Sequence, residues 1–416
     1  MRIVQINTVC GTGSTGKIAV DLYKIAEEAG HSPYIAYGRG SAPTHVQGFK
    51  IGNVIDFGCH VLVNFFWGKS GFGSKVVTKR FLRWLDEMKP DILHLHNLHG
   101  FYLHIGMLFE YIKEHDIPVV WTLHDCWPLT GQCAFFDYAQ CDKWQTGCHD
   151  CPVYRTDYPY SLFKDNSKGN YATKKSIFTG VPNLTIVTPS KWLADIVKQS
   201  YLKDYPVVVI PNGIDLSLFK PAVNQTSKVQ PSDCTSPAAK IVLGVANVWT
   251  RRKGLDFFLQ LSDMLGSAFH IVLIGLSKKQ QADIQSRFKE RITAITRTSN
   301  QQELVSWYQK AYVFVNPTLE DNFPTTNLEA LACGTPVITF QTGGSPECIT
   351  DECGIVVEKG NIAKLKEAIL TLANRSEITS SKCRERALAY DREIKFREYI
   401  NIYFSFSKAS GYINGN

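Results

Sequence analysis

Short apolar runs rich in β-branched residues alternate with amphipathic segments along almost the whole chain. The predicted strands are 3–6, 33–36, 91–95, 119–122 and 185–188 in the first half, and 207–210, 241–245, 270–274, 311–315 and 336–340 in the second. Strands that are apolar throughout and separated by helices are typical of parallel sheets with helices on both faces. The pattern therefore predicts an α/β protein with two similar halves.

Each half opens with a strand, a polar or glycine-rich turn and an amphipathic helix. The first such helix is predicted over 17–29, after a loop through Gly16, and the second over 255–266, after the turn 247–254. Units of this kind are typical of Rossmann-like domains, which bind ligands at the carboxyl ends of their strands. We therefore predict two Rossmann-like domains whose parallel sheets face a cleft.

The predicted domain boundaries follow changes in composition. The N-terminal domain covers 1–205, with a cysteine-rich insert at 126–152, and the C-terminal domain covers 206–395. Within the latter, 222–239 is rich in Gln, Ser, Thr and Pro and lacks periodicity, which predicts a linker or long loop. The last segment, 396–416, is predicted to form a helix that packs back on the N-terminal domain.

Composition and charge narrow the function. The 416 residues are 44% hydrophobic and 20% charged, which suits two soluble globular domains. A net charge of +7 is small for a nucleic-acid-binding protein, so we expect no nucleic-acid partner. The same charge suits a protein that meets phosphate groups or an anionic membrane surface.

The start of the chain, Met1–Asn7, has neither the apolar core nor the cleavage site of a signal peptide. The strongest candidate for a membrane segment, Phe57–Trp67, is too short to cross a bilayer and contains His60 and Asn64. These observations predict a cytoplasmic protein, at most peripheral on the inner face of the cell membrane.

One segment, 317–347, combines a loop, a short helix over about 326–333 and a glycine turn. The start of that helix offers N–H groups and a positive dipole end to a phosphate group. The carboxylates of Asp321 and Glu329 can accept hydrogen bonds from adjacent hydroxyls of a sugar and of a ribose. These residue types suit a ligand that contains both phosphate and sugar.

The spacing of Asp321 and Glu329, with LEALACGTPV at 328–337 and a Gly-Gly turn after it, resembles the retaining glycosyltransferases of family 4. The resemblance covers most of the chain and extends to 188–192, 208–215 and 314–317. It implies the GT-B fold and transfer of a sugar from a nucleotide-sugar donor to a polysaccharide or lipid-linked oligosaccharide acceptor. It further implies front-face attack without a covalent enzyme intermediate, and no catalytic metal.

The resemblance also implies roles for individual residues. Donor binding falls on Gly13, Gly16, Lys17, Arg252, Lys253, Asn322, Phe323, Glu329, Gly343 and Gly344, and the catalytic positions are His96, His124, Asp321 and Glu329. The family's phosphate-binding Arg falls on Val248 here. Arg251 or Arg252 would then supply the second positive charge beside Lys253, which helps the diphosphate to leave.

The glycine-rich loop has two other interpretations, and both fail. Gly11, Gly16 and Lys17 fit the spacing of a P-loop, but Ile18 stands where a hydroxyl is needed to hold magnesium. A dinucleotide-binding loop also fits the glycines, but no persuasive acidic residue follows about 20 positions on. The loop is therefore expected to border the cleft, where its glycines let the backbone approach a ligand.

Histidines follow two of the predicted strands. His94 and His96 end one strand, and His124 with Asp125 ends the next. The resemblance matches His96 to a functional histidine that positions the acceptor or the donor sugar, and His124 is the second candidate. The alternative for each is a hydrogen-bonded core histidine, which we favour for His94 and His99.

Four cysteines have a spacing that suits metal binding. Cys148 and Cys151 form a CxxC turn, and Cys133 and Cys141 supply a second pair, so we predict a structural zinc. Buried free thiols or a disulfide are the alternatives. This segment is similar to a subgroup of the family that acts in polysaccharide biosynthesis of the colanic-acid type.

A predicted helix over 74–88 carries Lys75, Lys79, Arg80 and Arg83 along one face. Together with the apolar segment before it, this face is typical of a surface for anionic lipid. A core-packed helix with a solvated basic face is the alternative.

Two other functions stay open from the sequence. A nucleotide-sugar 2-epimerase-like enzyme would share the fold, although the motif around Glu329 argues against it. A non-catalytic nucleotide-sugar-binding protein would be compatible with Val248 and Asp321 at positions where relatives differ.

Overall fold

The computed structural model describes residues 1–222 and 239–411, and the side chains of 407–411 are not described. Residues 223–238 of the predicted linker at 222–239, and residues 412–416 of the predicted terminal segment, lie outside the described residues. The chain divides into two compact units, Met1–Pro211 with Glu393–Asn416, and Asn212–Arg392.

The first unit is built on a parallel sheet. Its strands are β1 (Arg2–Val9), β2 (Ser32–Arg39), β3 (Gly48–Lys50), β4 (Ile92–Leu95), β5 (Val119–Thr122), β6 (Leu184–Thr188) and β7 (Val207–Val209). Its helices are α1 (Gly13–Glu28), α2 (Val54–Trp67), α3 (Lys75–Met88), α4 (Ile105–Glu114), α5 (Ser167–Phe178) and α6 (Lys191–Gln199). Within the described residues the strand order is β3-β2-β1-β4-β5-β6-β7, and Ile3 pairs with both Pro33 and Ile92.

The second unit repeats this plan. Its strands are β8 (Lys240–Val245), β9 (Phe269–Ile274), β10 (Ile292–Ile295), β11 (Val313–Asn316), β12 (Val337–Phe340) and β13 (Gly354–Val357). Its helices are α7 (Leu255–Met264), α8 (Lys278–Phe288), α9 (Gln301–Lys310), α10 (Thr325–Ala332), α11 (Ile362–Thr371) and α12 (Ser380–Leu388), and α13 (Arg392–Gly411) ends the described chain. The order in the described part is β10-β9-β8-β11-β12-β13, with parallel pairing. The predicted α/β class with two parallel sheets is confirmed.

The central strands form the cores because they are apolar on both faces. β5 reads VVWT and is buried along its whole length. On one face of the first sheet, Trp121 packs against Phe109 of α4 and Phe178 of α5, with ring centroids 5.3 and 4.8 Å apart. On the other face, Leu22 of α1 and Tyr399 of α13 share a buried cluster. The last helix therefore packs on the first sheet.

One predicted strand belongs to the other sheet. We expected 207–210 to open the second half, but β7 pairs with β6, where Val207 lies opposite Ile186. The first unit accordingly extends to Pro211 rather than to 205, and the second ends at Arg392 rather than at 395. A short β-branched run carries no signal for the sheet that it joins.

In the described part of the chain, no helix is both long and apolar enough to cross a bilayer.

Candidate functional site

The segment 317–347 lies at the carboxyl ends of β11 and β12, in the second unit. These strands are parallel neighbours, with Val315 opposite Ile338, so the loops that follow them open on the same edge of the sheet. The first loop leads into α10, whose N-terminus has no side-chain cap. The N–H groups of that first turn suit an anionic ligand such as a phosphate.

Asp321 of this loop forms an ion pair with Lys253. The Nζ of Lys253 lies 2.5 Å from Oδ2 of Asp321, and the N–H of Asn322 donates to Oδ1 at 3.0 Å. Burial alone would raise the pKa of Asp321, but Lys253 and Arg252 outweigh burial and hold that pKa below its ordinary value. The carboxylate is therefore ionised at neutral pH and can accept hydrogen bonds from hydroxyl groups.

The turn that carries Lys253 is anchored to the same loop. The guanidinium of Arg252 donates to the carbonyl oxygen of Glu320. The two segments lie so close that a Cβ on Gly254 would be 2.1 Å from the carbonyl oxygen of Pro317. Arg252, expected at the donor diphosphate, thus contacts protein backbone, and its role toward a donor stays a prediction.

Gly343 packs directly against the backbone of Asp321. Its φ is +51°, and a Cβ there would lie 1.9 Å from the carbonyl oxygen of Asp321. The N–H of Gly344 donates to that same oxygen at 3.2 Å, and the hydroxyl of Thr342 donates to the carbonyl oxygen of Leu319 at 2.9 Å. The glycine turn therefore fixes the backbone that presents the Asp321 carboxylate.

A buried polar network lies beneath this turn. Asn327 of α10 accepts from the Nδ2 of Asn316 at 2.9 Å and donates to the Oγ of Ser345 at 3.1 Å. The hydroxyl of Thr339 lies 2.7 Å from that Oγ and donates to the carbonyl oxygen of Asn316 at 3.1 Å. All four side chains are buried, so the network holds α10, β11, β12 and the turn in one arrangement.

Gly343→Ala is expected to destabilise the second unit by about 2–4 kcal/mol, because a Cβ adds left-handed strain and displaces the Asp321 backbone. Gly360→Ala is the matched control, since Gly360 also has a positive φ (+76°) but nothing within 4 Å of its Cβ position. We expect this control to lose only about 1 kcal/mol. Urea unfolding compares them, and equal losses would refute the packing argument.

Glu329 accepts a hydrogen bond from the hydroxyl of Tyr308, with Oε2 and the hydroxyl oxygen 2.8 Å apart. Tyr308 lies on α9 and is completely buried, and its carbonyl oxygen accepts from Thr335 at 2.6 Å. Burial and the Glu329 carboxylate raise the pKa of Tyr308 well above 10, so its hydroxyl remains a donor. Tyr308 orients Glu329, and no sequence motif pointed to it.

Two residues expected at the donor have buried side chains, namely Asn322 and Phe323. The Phe323 ring packs against Tyr390 with centroids 5.6 Å apart, and its carbonyl oxygen accepts from the Nδ2 of Asn212 at 2.9 Å. Phe323 therefore shapes the loop from inside the core. Val248, which stands where the family has its Arg, is 62% exposed.

The glycine-rich loop of the first unit is shorter than expected. α1 begins at Gly13 rather than at Lys17, so Gly16 lies inside the helix. A Cβ on Gly16 would meet Val9 at 3.1 Å and the backbone of Gly11 at 3.2 Å, and the N–H of Gly11 donates to the Gly16 carbonyl oxygen at 3.0 Å. Close packing thus explains a glycine within a helix, where propensity disfavours it. Gly13 and Lys17 are exposed.

His96 and His124 form a chain of hydrogen bonds at the ends of β4 and β5. Gln5 donates through Nε2 to the carbonyl oxygen of Ala19 at 3.0 Å, so its Oε1 accepts from the Nε2 of His96 at 3.0 Å. The Nδ1 of His96 is then an acceptor, and the Nε2–H of His124 donates a hydrogen bond to it at 3.0 Å. In this tautomer the Nδ1 of His124 carries no proton.

Burial keeps both histidines uncharged. It lowers the pKa of His124 to about 4, although Asp125 opposes the shift, and it lowers the pKa of His96 well below 6.5. Residues 96–99, residues 123–125 and Pro128 surround a narrow gap that has no room for a water molecule. A neutral imidazole has one ring nitrogen that can accept a hydrogen bond.

His94 and His99 have other partners. His94 is completely buried and lies 2.6 Å from the hydroxyl of Tyr403 and 2.8 Å from that of Thr122. His99 lies 2.7 Å from Oδ2 of Asp125. These bonds tie the strand ends to α13 and to one another.

The four cysteines of the predicted zinc site form no disulfide; Cys133 is buried, and the other three are half-buried. A hydrogen bond from Cys133 lowers the pKa of Cys151, and the N–H of Gly131 donates to the Sγ of Cys148 at 3.2 Å. Among the described residues, no group of three or more His, Cys, Asp or Glu side chains is arranged to hold a metal ion. Zinc binding by Cys133, Cys141, Cys148 and Cys151 stays a prediction, which metal analysis of the purified protein tests.

Comparison with known proteins identifies the family. The family model described as "Glycosyltransferase Family 4" matches residues 16–218, and that described as "Glycosyl transferases group 1" matches residues 239–375. The first match includes His96 and His124, and the second includes Lys253, Asp321 and Glu329.

Relatives and solved structures agree with these matches. The putative colanic acid biosynthesis glycosyl transferase WcaC of Escherichia coli (strain K12) is 24% identical over 97% of this chain and 99% of its own. The N,N'-diacetylbacillosaminyl-diphospho-undecaprenol alpha-1,3-N-acetylgalactosaminyltransferase of Campylobacter jejuni is 25% identical over 50% of this chain and 57% of its own. The structure of Anabaena Alr3699/HepE in complex with UDP-glucose has a TM-score of 0.64 at 13% identity, covering 97% of this chain and 99% of its own. The chain belongs to the family 4 glycosyltransferases and has the GT-B fold.

Proposed function

We propose that this glycosyltransferase moves a sugar, with retention of its anomeric configuration, from a nucleotide-sugar donor to a lipid-linked oligosaccharide or polysaccharide acceptor. The observation that carries the proposal is the Lys253–Asp321 ion pair held by Gly343 at the start of α10, with Glu329 on the same helix. UDP-glucose in Alr3699/HepE supports the donor class, and the names of the two relatives support the acceptor classes.

The donor side combines positive charge with carboxylates. Lys253 and the N-terminus of α10 would hold the diphosphate, because neutralising its charge helps it to leave. Asp321 would accept from hydroxyls of the sugar, and Glu329 from those of the ribose. Tyr308 keeps the Glu329 carboxylate in one orientation.

The acceptor side relies on neutral histidines. In front-face attack the acceptor hydroxyl bonds to the anomeric carbon as the bond to the diphosphate breaks, and a departing phosphate oxygen takes the hydroxyl proton. His124, held by the hydrogen bonds that run through His96 to Gln5, would orient that hydroxyl. The matched proteins are glycosyltransferases and give no support to a 2-epimerase-like enzyme or a non-catalytic binding protein.

A panel of nucleotide-sugars tests the proposal. We expect one class of donor to raise the melting temperature. At a donor concentration a hundredfold above Kd, the folded state should gain about 2.7 kcal/mol of stability. With that donor and a lipid-linked acceptor, we expect nucleoside diphosphate release and a product with the donor's anomeric configuration. An inverted product would overturn retention, and stabilisation by a donor that is never consumed with any acceptor would overturn transfer.

A further inference from the structure

Helix α2 has its polar and apolar faces reversed. The side chains that it buries are polar, His60 and Asn64. Its exposed side chains are apolar and are accessible by 44% to 83%: Val54, Ile55, Leu62, Phe66 and Trp67. A surface helix normally buries its apolar side, so this face has the polarity of a surface that meets an apolar phase.

Specific hydrogen bonds hold α2 in this orientation. The Nε2 of His60 accepts from the N–H of Gly73 at 3.1 Å, and its Nδ1 lies 2.9 Å from the Oγ of Ser74. The Nδ2 of Asn64 donates to the carbonyl oxygen of Tyr160 at 2.7 Å. Since rotating the helix would break these bonds, the fold itself fixes the apolar side outward.

A neighbouring segment extends the apolar surface. Phe163 is 62% exposed, and its ring stacks on Phe66 with centroids 5.1 Å apart and planes 2° apart. The N–H of Leu162, itself 41% exposed, donates to the carbonyl oxygen of Phe65 at 3.1 Å. The exposed apolar residues of α2, with Leu162 and Phe163, form one continuous surface, which we call the docking face.

Charge around the docking face is positive. Exposed lysines lie next to it along the chain and on α3: Lys69, Lys75, Lys79 and Lys164. Asp86 and Glu87 lie in the last turn of α3, and the two acids nearest to α2 and Phe163 along the chain, Asp56 and Asp165, are bound to backbone N–H groups. Asp56 accepts from Asn53 at 2.9 Å, and Asp165 accepts from Cys151 and Ser167 at 2.7 and 2.8 Å. The face therefore combines apolar contact with attraction for anions.

We propose that the docking face binds the surface of an anionic phospholipid bilayer, with α2 lying in the plane of the interface. The helix of 14 residues is about 21 Å long, which suits an in-plane anchor. Trp67 at its end and Tyr160 beside it are exposed and have the amphipathic rings that favour the headgroup region. The lysines suit anionic headgroups.

Helix α2, which carries most of the docking face, is linked through two aromatic rings to His99 of the same unit. Phe57 of α2 contacts Phe101 at 6.1 Å between ring centroids, and Phe101 contacts Tyr158 at 5.9 Å. The hydroxyl of Tyr158 lies 3.1 Å from the Nδ1 of His99. If the proposed lipid-linked acceptor is correct, its lipid would stay in the bilayer while its polar end reaches the histidines, and this connection rests on the proposed function.

Vesicle binding by the full chain tests the docking face. We expect the protein to sediment with vesicles of phosphatidylcholine and phosphatidylglycerol, and far less with phosphatidylcholine alone. Phe66→Ser/Trp67→Ser should weaken this binding by about tenfold or more. Leu370→Ser, which removes an exposed apolar side chain of the second unit, is the matched control and should bind as the parent does. Lys75→Glu/Lys79→Glu should lose the preference for anionic vesicles.

Other outcomes would overturn the docking face. Equal binding to both vesicle types, or vesicle binding that Phe66→Ser/Trp67→Ser leaves unchanged, would do so. Self-association in solution that this variant abolishes, without vesicle binding, would assign the face to a second copy of the chain. The melting shift with a nucleotide-sugar is measured on every variant. It reports folding and donor binding, so failure of the docking face is distinguishable from failure of the proposed function.

Discussion

Glu329→Ala is expected to lower kcat/KM for sugar transfer by about a hundredfold or more. The Glu329 carboxylate is held by Tyr308 at 2.8 Å and would accept from two ribose hydroxyls. Hydrogen bonds to a charged group contribute about 1.5–3 kcal/mol each, and every 1.4 kcal/mol is about tenfold in rate. Because the ribose is bound before and during the reaction, KM should rise along with any fall in kcat. Initial rates with the identified donor and acceptor measure the effect.

Two variants separate the carboxylate from its support. Tyr308→Phe removes the hydrogen bond between Tyr308 and Glu329 but keeps the Glu329 carboxylate. We therefore expect kcat/KM to fall by about tenfold or less. Glu329→Gln keeps the shape of the side chain but replaces one acceptor oxygen with a donor, so the loss should approach that of Glu329→Ala. Full transfer activity in a folded Glu329→Ala protein would refute the ribose role.

The segment 317–347 was the most predictable part of the molecule, because its motif is contiguous in sequence. The short helix, expected at about 326–333, runs from Thr325 to Ala332. Its contacts were not predictable, because they join distant parts of the chain. Lys253 and Asp321 are 68 residues apart, and Tyr308 is 21 residues from Glu329. Spacing identifies residues on one loop or helix but gives no information on which side chain will face them.

The positions of most strands were predictable from the sequence, but the sheet that each strand joins was not. Central strands carry apolar runs and were predicted, whereas the short strands β3, β10 and β13 were missed. They lie at the ends of their sheets, where one side has no partner strand and the apolar signal is weaker. β7 was predicted as a strand but placed in the wrong half, because pairing depends on the whole sheet.

Helix α2 was unpredictable for a different reason. Its segment is apolar on nearly all sides, so the sequence does not determine which side faces the core. The usual assumption that polar residues point outward gives the wrong answer for His60 and Asn64. Only the positions of their partners, such as Gly73 and Tyr160, settle the orientation.

The first unit is expected to lose about 8 kcal/mol of its free energy of unfolding between about pH 7 and about pH 5. Burial lowers the pKa of His60 and His94 to about 3 and that of His124 to about 4, and it lowers the pKa of His96 well below 6.5. Below about pH 6.5 the unfolded chain binds protons that the folded chain excludes, so stability falls as pH falls. Each histidine contributes about 2 kcal/mol over this range, and the sum approaches the whole stability of a typical domain.

The buried carboxylates do not account for this loss. In the first unit the pKa of Asp125 is held below its ordinary value, so the stabilisation from its carboxylate is lost only below about pH 4. Urea unfolding followed by tryptophan fluorescence at several pH values measures the slope. A free energy of unfolding that stays constant between about pH 7 and about pH 5 would contradict the expectation.

Histidine variants identify the source of the pH dependence. His94→Gln removes one excluded proton and should reduce the slope by about a quarter. It should also lower stability at pH 7, because His94 is bonded to Tyr403 and Thr122 in the core. His45→Gln, at an exposed position, is the control and should leave the slope unchanged. An exposed side chain meets nearly the same solvent in the folded and unfolded chains. If His45→Gln reduced the change of the unfolding free energy with pH as much as His94→Gln does, the pH dependence would not arise from the buried histidines.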